Sequence, residues 1–193
     1  TSGTTGLPKG APRTKVSPFA TAQFLDRMPF AKFDTMVIVS PIFHSTGLGT
    51  WLIGSILANK IVMRRRFDAE ATLKMVADHK ADILVAVPTM LHRMVELPKE
   101  VHAKYDTSSL KAIILAGSAL SPELSIRAAE VFGPVVHNLY GSTEVAIATV
   151  AGLGRGGDDH RAGTVVTVGL GVCTRGAVVV GRGRVGDVRF VDR

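Results

Sequence analysis

A chain of 193 residues can form one domain, or one domain and a fragment of another. Apolar residues make up 46% of it, which excludes a disordered polar chain, and the single cysteine, Cys173, excludes a disulfide framework and a Cys-rich zinc site and favours a reducing setting. The net charge of +7 divides into 16 Lys+Arg against 12 Asp+Glu over residues 1–150 and 7 against 4 over 151–193, without the long basic stripe and interleaved aromatics of a nucleic-acid surface.

The chain opens on Thr1-Ser2-Gly3-Thr4-Thr5-Gly6-Leu7-Pro8-Lys9-Gly10, a polar, Gly-rich turn with no apolar signal-peptide segment. Residues 36–39 predict the first strand. The longest apolar stretch, 47–58, is too short for the roughly 20 residues of a bilayer span and reads as a buried helix. Residues 61–63 predict a second strand, followed by Arg64, Arg65 and Arg66. A solvated strand end is the preferred reading of these arginines; a phosphate-bearing partner is the sharper one. Asp68 stands where an N-cap belongs, before Ala69, Leu73, Val76 and Ala77 at helical spacing. A strand at 83–87 leads into a helix at 88–97, with Met90, Leu91, Met94 and Val95 on one side. A strand at 112–115 leads into another helix, with Ser121 as N-cap, Pro122 at the first helical position and Leu124, Ala128, Val131 and Phe132 on its apolar face. A fifth strand is expected at 135–139.

The predicted strands are nearly continuous apolar runs, as expected where both faces are covered. Their alternation with helices predicts an α/β fold with a mostly parallel sheet flanked by helices. In such a sheet the loops after the strands emerge at the carboxyl edge, where ligands bind. Four segments should therefore converge on one crevice: Ser40-Pro41-Ile42-Phe43-His44, Pro88-Thr89, Ala116-Gly117-Ser118-Ala119 and Tyr140-Gly141-Ser142-Thr143-Glu144.

The first ten residues are the most specific chemical signal. Glycines let a backbone approach an anion closely, and main-chain N–H groups with the hydroxyls of Thr1, Ser2, Thr4 and Thr5 can surround phosphate oxygens, with Lys9 as a mobile cation. The order Pro8-Lys9-Gly10 differs from the Gly-Lys-Ser/Thr of a P-loop. A Gly/Thr-rich turn alone is more often a surface turn. Glu144 can ligate Mg²⁺, a hard ion that prefers oxygen, and Thr143 can donate to a phosphate; an isolated Glu more often faces solvent or caps a helix.

Taken together, these strings resemble the adenylate-forming superfamily of acyl-CoA synthetases, peptide-synthetase adenylation domains and luciferases. The opening string resembles its phosphate loop, and Tyr140 to Glu144 its Tyr-Gly-x-Thr-Glu motif. Pro41-Ile42-Phe43-His44 resembles its Pro-x-Phe-His segment, and Ala116 to Pro122 its adenine-side loop. The four motifs keep the family's order over about 1–145, and the nearest branch looks like bacterial medium- to long-chain fatty-acyl-CoA synthetases. The resemblance implies part of the family's large N-terminal domain. It also implies the family reaction, in which a fatty acid and ATP give acyl-AMP, and CoA then gives the thioester. Thr1, Ser2, Gly3, Thr4, Thr5, Gly6 and Lys9 would hold the phosphates, and Thr1 and Glu144 the Mg²⁺. Thr143 would contact the α-phosphate. Gly117, Ser118, Ala119, Asn138, Leu139, Tyr140 and Gly141 would line the adenine and the start of the acyl pocket. His44 would lie near the reacting carboxylate, in a positioning and charge-stabilising role, because the nucleophile is already an anion. His79, His92, His102, His137 and His160 match no motif and are expected at the surface or in packing roles. ATP, AMP, fatty acid and CoA are the expected partners. A cytoplasmic setting is expected, with peripheral membrane contact as the variant.

The family pattern weakens beyond Glu144. The family's Thr-Gly-Asp motif, whose Asp binds ribose, has only Val185-Gly186-Asp187 as a poor counterpart, and no lysine follows Lys111 to serve as the family's C-terminal catalytic Lys. From Arg161 about two-thirds of residues are Gly, Val or Arg, a bias typical of low-complexity segments. Residues 1–165 are thus expected to be a partial adenylation domain. Residues 166–193 are expected to be an atypical, poorly packed tail, read out of frame after a frameshift or a split gene near Val165; a short β-rich cap with a strand at 177–180 is the alternative. The chain alone is expected to turn over little. A non-catalytic nucleotide-binding or regulatory module is the competing function.

Overall fold

In the computed structural model, which describes residues 28–142, 146–152, 164–167 and 182–183, with side chains up to residue 139, the short apolar runs form one sheet. Its strands are β1 (Thr35–Ile38), β2 (Lys60–Met63), β3 (Ile83–Ala86), β4 (Ala112–Leu115), β5 (Val136–Ser142), β6 (Ala146–Gly152), β7 (Thr164–Thr167) and β8 (Arg182–Gly183), in the order β2-β1-β3-β4-β5-β6-β7-β8. The pairings from β2 through β5 are parallel. Those from β5 through β8 are antiparallel. The predicted α/β class with a mostly parallel, helix-flanked sheet is what the first five strands form. The sequence reading placed those strands within a residue or two, except that β5 runs on to Ser142. β6, β7 and the short β8 extend the sheet beyond the five expected strands.

Five helices are described: α1 (Ser45–Ile56), α2 (Ala69–His79), α3 (Pro88–Val95), α4 (Lys99–His102) and α5 (Pro122–Phe132). The predicted caps form. Asp68 Oδ1 accepts from Ala71 N–H at 2.8 Å, and Ser121 Oγ accepts from Leu124 N–H at 3.2 Å. Each satisfies a main-chain donor that the helix leaves open, worth about 1 kcal/mol. Arg64, Arg65 and Arg66 follow β2 and are exposed, as a solvated strand end should be.

The sheet buries both faces. Val37, Leu84, Ile113 and Val136 join Leu73 and Val76 of α2, Leu91 and Met94 of α3, and Leu124, Ala128 and Phe132 of α5 in the larger core. Met36, Ile38, Ile83, Val85 and Ile114 form a second core on the other face, with Ile53 of α1 against it. Full burial of each such side chain contributes roughly 1.5–3 kcal/mol.

The stretch 47–58 corrects one expectation. It is helical as α1, but it is not a buried helix: Leu48, Trp51, Leu52 and Ile56 are 51%, 39%, 52% and 74% exposed, while Thr46, Gly47, Thr50 and Gly54 are the buried positions. The helix turns its small residues to the sheet. A Cβ on Gly47 would lie 2.3 Å from the Pro41 main-chain oxygen, so the approach requires glycine there, and one on Gly54 would lie 2.7 Å from Met36 Sδ, so that side chain would have to move. An uncharged run does not say which of its faces is covered.

A charged network closes the amino edge. Lys111 Nζ lies 2.7 Å from Asp82 Oδ1 and 3.2 Å from Asp34 Oδ1. Asp82 Oδ2 accepts from Thr35 N–H, and Asp34 Oδ2 accepts from Ala31 N–H. The starts of β1, β3 and β4 are tied together in this way. The signal was legible: Asp34, Asp82 and Lys111 each immediately precede a strand.

Candidate active site at the carboxyl edge

The loops after β1, β3 and β4 meet at the opposite edge. Gly117, the second residue of the β4–α5 loop, has φ +94°, a left-handed conformation that favours glycine. A Cβ built on it would lie 3.6 Å from His44 Cε1 and 3.8 Å from Val87 Cγ1. His44 ends the β1–α1 loop and Val87 is the N-cap of α3, next to Pro88, so two of the four predicted segments meet beside the end of the third strand. Gly117, Ser118 and Ala119 are exposed and leave it open.

His44 is the N-cap of α1. Its main-chain N–H donates to Pro41 O at 3.0 Å, and its Nδ1 accepts from Thr46 N–H at 3.3 Å. The hydroxyl of Thr46 is 3.2 Å from the same nitrogen. The ring is thereby fixed by the helix it starts, and its Nε2 has no partner among the described residues.

β5 brings the fourth segment alongside. Asn138 is level with Leu115, the last residue of β4, and its Oδ1 is buried without a partner among the described residues. Such an acceptor calls for a donor. Leu139 turns its side chain into the second core. Past it the β5–β6 register shifts between Tyr140 and Gly141, a local kink of the kind often found beside binding sites. Ser142, the last residue of β5, pairs with Ala146, the first of β6. Thr143 and Glu144 themselves lie outside the described residues, as do Thr1, Ser2, Gly3, Thr4, Thr5, Gly6, Lys9, His160, Cys173, Asp187 and the expected strand at 177–180.

Ser40 was not singled out for a role. It follows β1, is 2% exposed, and its Oγ has no partner among the described residues. The other described histidines take surface or packing roles: His79 approaches Lys60, His92 pairs with Glu96, and His102 meets the Phe132 ring edge-on. His137 is held neutral-leaning by burial, which lowers its pKa. Among the described residues no group of three His, Cys, Asp or Glu could hold a metal ion, and no helix is long and apolar enough to cross a membrane.

The sequence has relatives among known ligases. It is 33% identical over 146 residues to indoleacetate–CoA ligase of Aromatoleum aromaticum, covering 75% of this chain and 28% of that protein. It is also 33% identical over 156 residues to 2-succinylbenzoate–CoA ligase of Bacillus licheniformis, covering 78% of this chain and 31% of that one. The chain thus spans about a third or less of the length of these relatives. Its fold matches a malonyl-CoA ligase solved as a ternary product complex with methylmalonyl-CoA and AMP, with a TM-score of 0.65 at 24% identity over 88% of this chain and 42% of that one. The family model described as "AMP-binding enzyme" covers residues 1–186, and with it the chain belongs to the AMP-binding, adenylate-forming enzymes, among whose members its relatives include acyl-CoA ligases.

Proposed function

We propose that this chain supplies the nucleotide-binding edge of an ATP-dependent acid–CoA ligase whose acid is a medium- or long-chain fatty acid. In that reaction a carboxylate oxygen attacks the α-phosphorus of ATP, the bond to the β-phosphate oxygen breaks, and acyl-AMP and pyrophosphate form. The thiolate of CoA then attacks the acyl carbon and AMP leaves. The observation that carries the reading is the meeting of His44, Val87 and Gly117 at the carboxyl edge, beside the unpartnered Oδ1 of Asn138.

The proposed roles follow from the motifs and the chemistry of their side chains. Asn138 Oδ1 accepts from the adenine amine, with Gly117, Ser118, Ala119 and the main chain of Leu139 to Gly141 around it. His44 faces the reacting carboxylate. The segment from Thr1 to Gly6, with Lys9, holds the β- and γ-phosphates, and Thr143 contacts the α-phosphate. Mg²⁺, when bound, neutralises phosphate charge, and Thr1 and Glu144 are the residues proposed to hold it. Residues 1–165 form the nucleotide-binding part in this reading, and 166–193 a tail whose reading frame the nucleotide sequence decides. The setting is cytoplasmic, with peripheral membrane contact as its variant. The named relatives act on indoleacetate and 2-succinylbenzoate, so the acid is the first thing to vary.

The test is hydroxamate trapping of acyl-AMP with purified chain, ATP and Mg²⁺, using fatty and aromatic acids in parallel with ATP titration. ATP should bind, and hydroxamate should stay close to background. Catalysis of this kind rests on positioning and electrostatics, and each missing charged group costs about 10²–10³ in rate; residues 112–193 contain no lysine to supply the late catalytic one. Robust trapping lost in Glu144→Ala would show that the chain is a working adenylating enzyme. Trapping with aromatic acids alone would replace the fatty acid. Failure to bind ATP would remove the reading.

A further inference from the structure

Two hydrogen-bonding facts about His44 fix more than its position. The main-chain N–H of Thr46 has only a proton to offer, so at 3.3 Å from Nδ1 it makes that nitrogen an acceptor. A neutral imidazole has one donor nitrogen and one acceptor nitrogen. With Nδ1 accepting, the proton must reside on Nε2. The rest of the site holds the ring in that state. His44 N–H is tied to Pro41 O at 3.0 Å, and Thr46 is 9% exposed, so water competes little for its N–H. The Cε1 edge of the ring, between the two nitrogens, faces Gly117 across the crevice. Nε2 has no partner among the described residues.

We infer that the first turn of α1, through Thr46, sets the tautomer of His44, so that the ring presents Nε2–H to the crevice as a hydrogen-bond donor. Thr46 is in this sense a positioning residue, acting through His44. The ligand chemistry that suits a fixed donor is an anionic oxygen, carboxylate or phosphoryl; resting on the proposed ligase reading, this is an oxygen of the reacting acid or of the phosphate it attacks. The arrangement also rules out one role. Neutral His44 cannot take a proton at Nε2, which already bears one, and taking one at Nδ1 would surrender the cap of α1. His44 therefore stabilises charge and does not act as a general base. A helix-capping carboxamide at this position would keep the cap while losing the aromatic donor.

The competing arrangement has Nδ1–H donating to Thr46 Oγ1, which is 3.2 Å away. The two differ in a way that a spectrum resolves without nucleotide or turnover, so the outcome does not depend on whether the ligase reading stands. The full 193-residue chain, labelled with ¹⁵N, is measured above the titration of its histidines, with His44 assigned by loss of its signals in His44→Asn. The expected result is an unprotonated-type Nδ1, a protonated-type Nε2, and a through-hydrogen-bond coupling between Thr46 N and His44 Nδ1. Thr46→Val, which removes the hydroxyl and keeps the N–H, should leave the tautomer unchanged. Thr46→Pro, which removes the N–H, should allow both tautomers. A protonated Nδ1, a mixed population in the unsubstituted chain, or a tautomer that changes in Thr46→Val would overturn the inference. If Thr46→Pro does not fold, the coupling in the unsubstituted chain decides.

Discussion

At the amino edge of the parallel sheet Lys111 Nζ reaches Asp82 at 2.7 Å and Asp34 at 3.2 Å, while at the carboxyl edge Ser40 Oγ and Asn138 Oδ1 are buried with no partner among the described residues. The same strands join both edges. At one end the starts of β1, β3 and β4 are clamped by charge, and the acids that hold the clamp also accept main-chain N–H groups. At the other end the chain departs into exposed glycine- and serine-bearing loops and leaves acceptors open. A buried polar atom without a partner costs about 1–3 kcal/mol. Native structures carry few, and those they carry call for an explanation. Of the three such atoms among the described residues, the third, His102 Nε2, belongs to a ring packed on Phe132 away from the crevice. The contrast teaches where this fold is clamped and where it leaves buried polar atoms open.

Removing the clamp should give the largest effect. Lys111→Met leaves Asp34, whose side chain is only 5% exposed, without its counter-charge. Breaking a fully buried pair costs about 3–5 kcal/mol. Lys111 is half exposed, so about 2–3 kcal/mol is expected, read as a lower urea midpoint. A cost under ~0.5 kcal/mol would mean that the amino edge is not a clamp.

Titration sharpens the same point. Burial pushes the Asp82 carboxyl up, but hydrogen bonds from Lys111 and Thr35 N–H outweigh it and hold it below the usual range. Its contribution is therefore fully present above the unfolded value of about 3.9 and is lost as pH falls through the folded one. Hydrogen bonds to Asp82 and then to Asp34 raise Lys111. Its contribution is present below about 10.4 and is lost as pH rises through the folded value. His137 adds an earlier acid step, because burial depresses it: its contribution is present above about 6.5 and declines as pH falls toward the folded value. Melting temperature against pH should show both acid steps, and His137→Gln should remove only the one that begins near pH ~6.5.

Gly117→Ala probes the carboxyl edge at smaller cost. The φ of +94° penalises any Cβ by about 1–2 kcal/mol, while the 3.6 Å approach to His44 is ordinary contact. The variant should lose that much stability and shift the His44 ring resonances. Unmoved resonances would separate the two loops.

Most of the parallel sheet was legible because its elements announce themselves locally. Asp68 and Ser121 precede periodic apolar residues and do cap α2 and α5; Ile83 to Ala86 and Ala112 to Leu115 are apolar throughout and are buried on both faces. Three properties were not local. Which face of α1 is covered depends on Gly47 and Gly54 fitting against Pro41 and Met36, a relation between distant segments. The strand β6 follows Glu144 with Ala146, Ile147 and Ala148, which fit a helix as well as a strand until Ser142 pairs with Ala146. The cap on α1 was hidden because histidine is not among the preferred N-cap residues. For the site, the sequence named His44, Gly117 and Asn138, and the fold brings their segments to one edge. Ser40 lies in a segment expected at that edge but has no role of its own there, because a serine after a strand looks like any loop serine until its burial is known.

Asn138→Leu should change stability least and is the sharpest test of the contrast between edges. At the amino edge each polar group removed leaves a partner behind. At Asn138 the Oδ1 has none to leave among the described residues, so an apolar side chain of similar size should cost nothing or stabilise by up to about 1 kcal/mol. Leu115, beside it in the register, is itself fully buried and offers an apolar neighbour. The loss should appear in binding instead. A hydrogen bond worth about 0.5–1.5 kcal/mol corresponds to roughly twofold to tenfold weaker ATP binding. Both quantities can be read from one preparation, by urea denaturation without nucleotide and by ATP titration. A variant that is as stable as the parent but binds ATP less well would show that the acceptor is kept for the ligand. A variant destabilised by more than ~2 kcal/mol would show that Oδ1 has a structural partner, and the carboxyl edge would then be held together in the same manner as the amino edge.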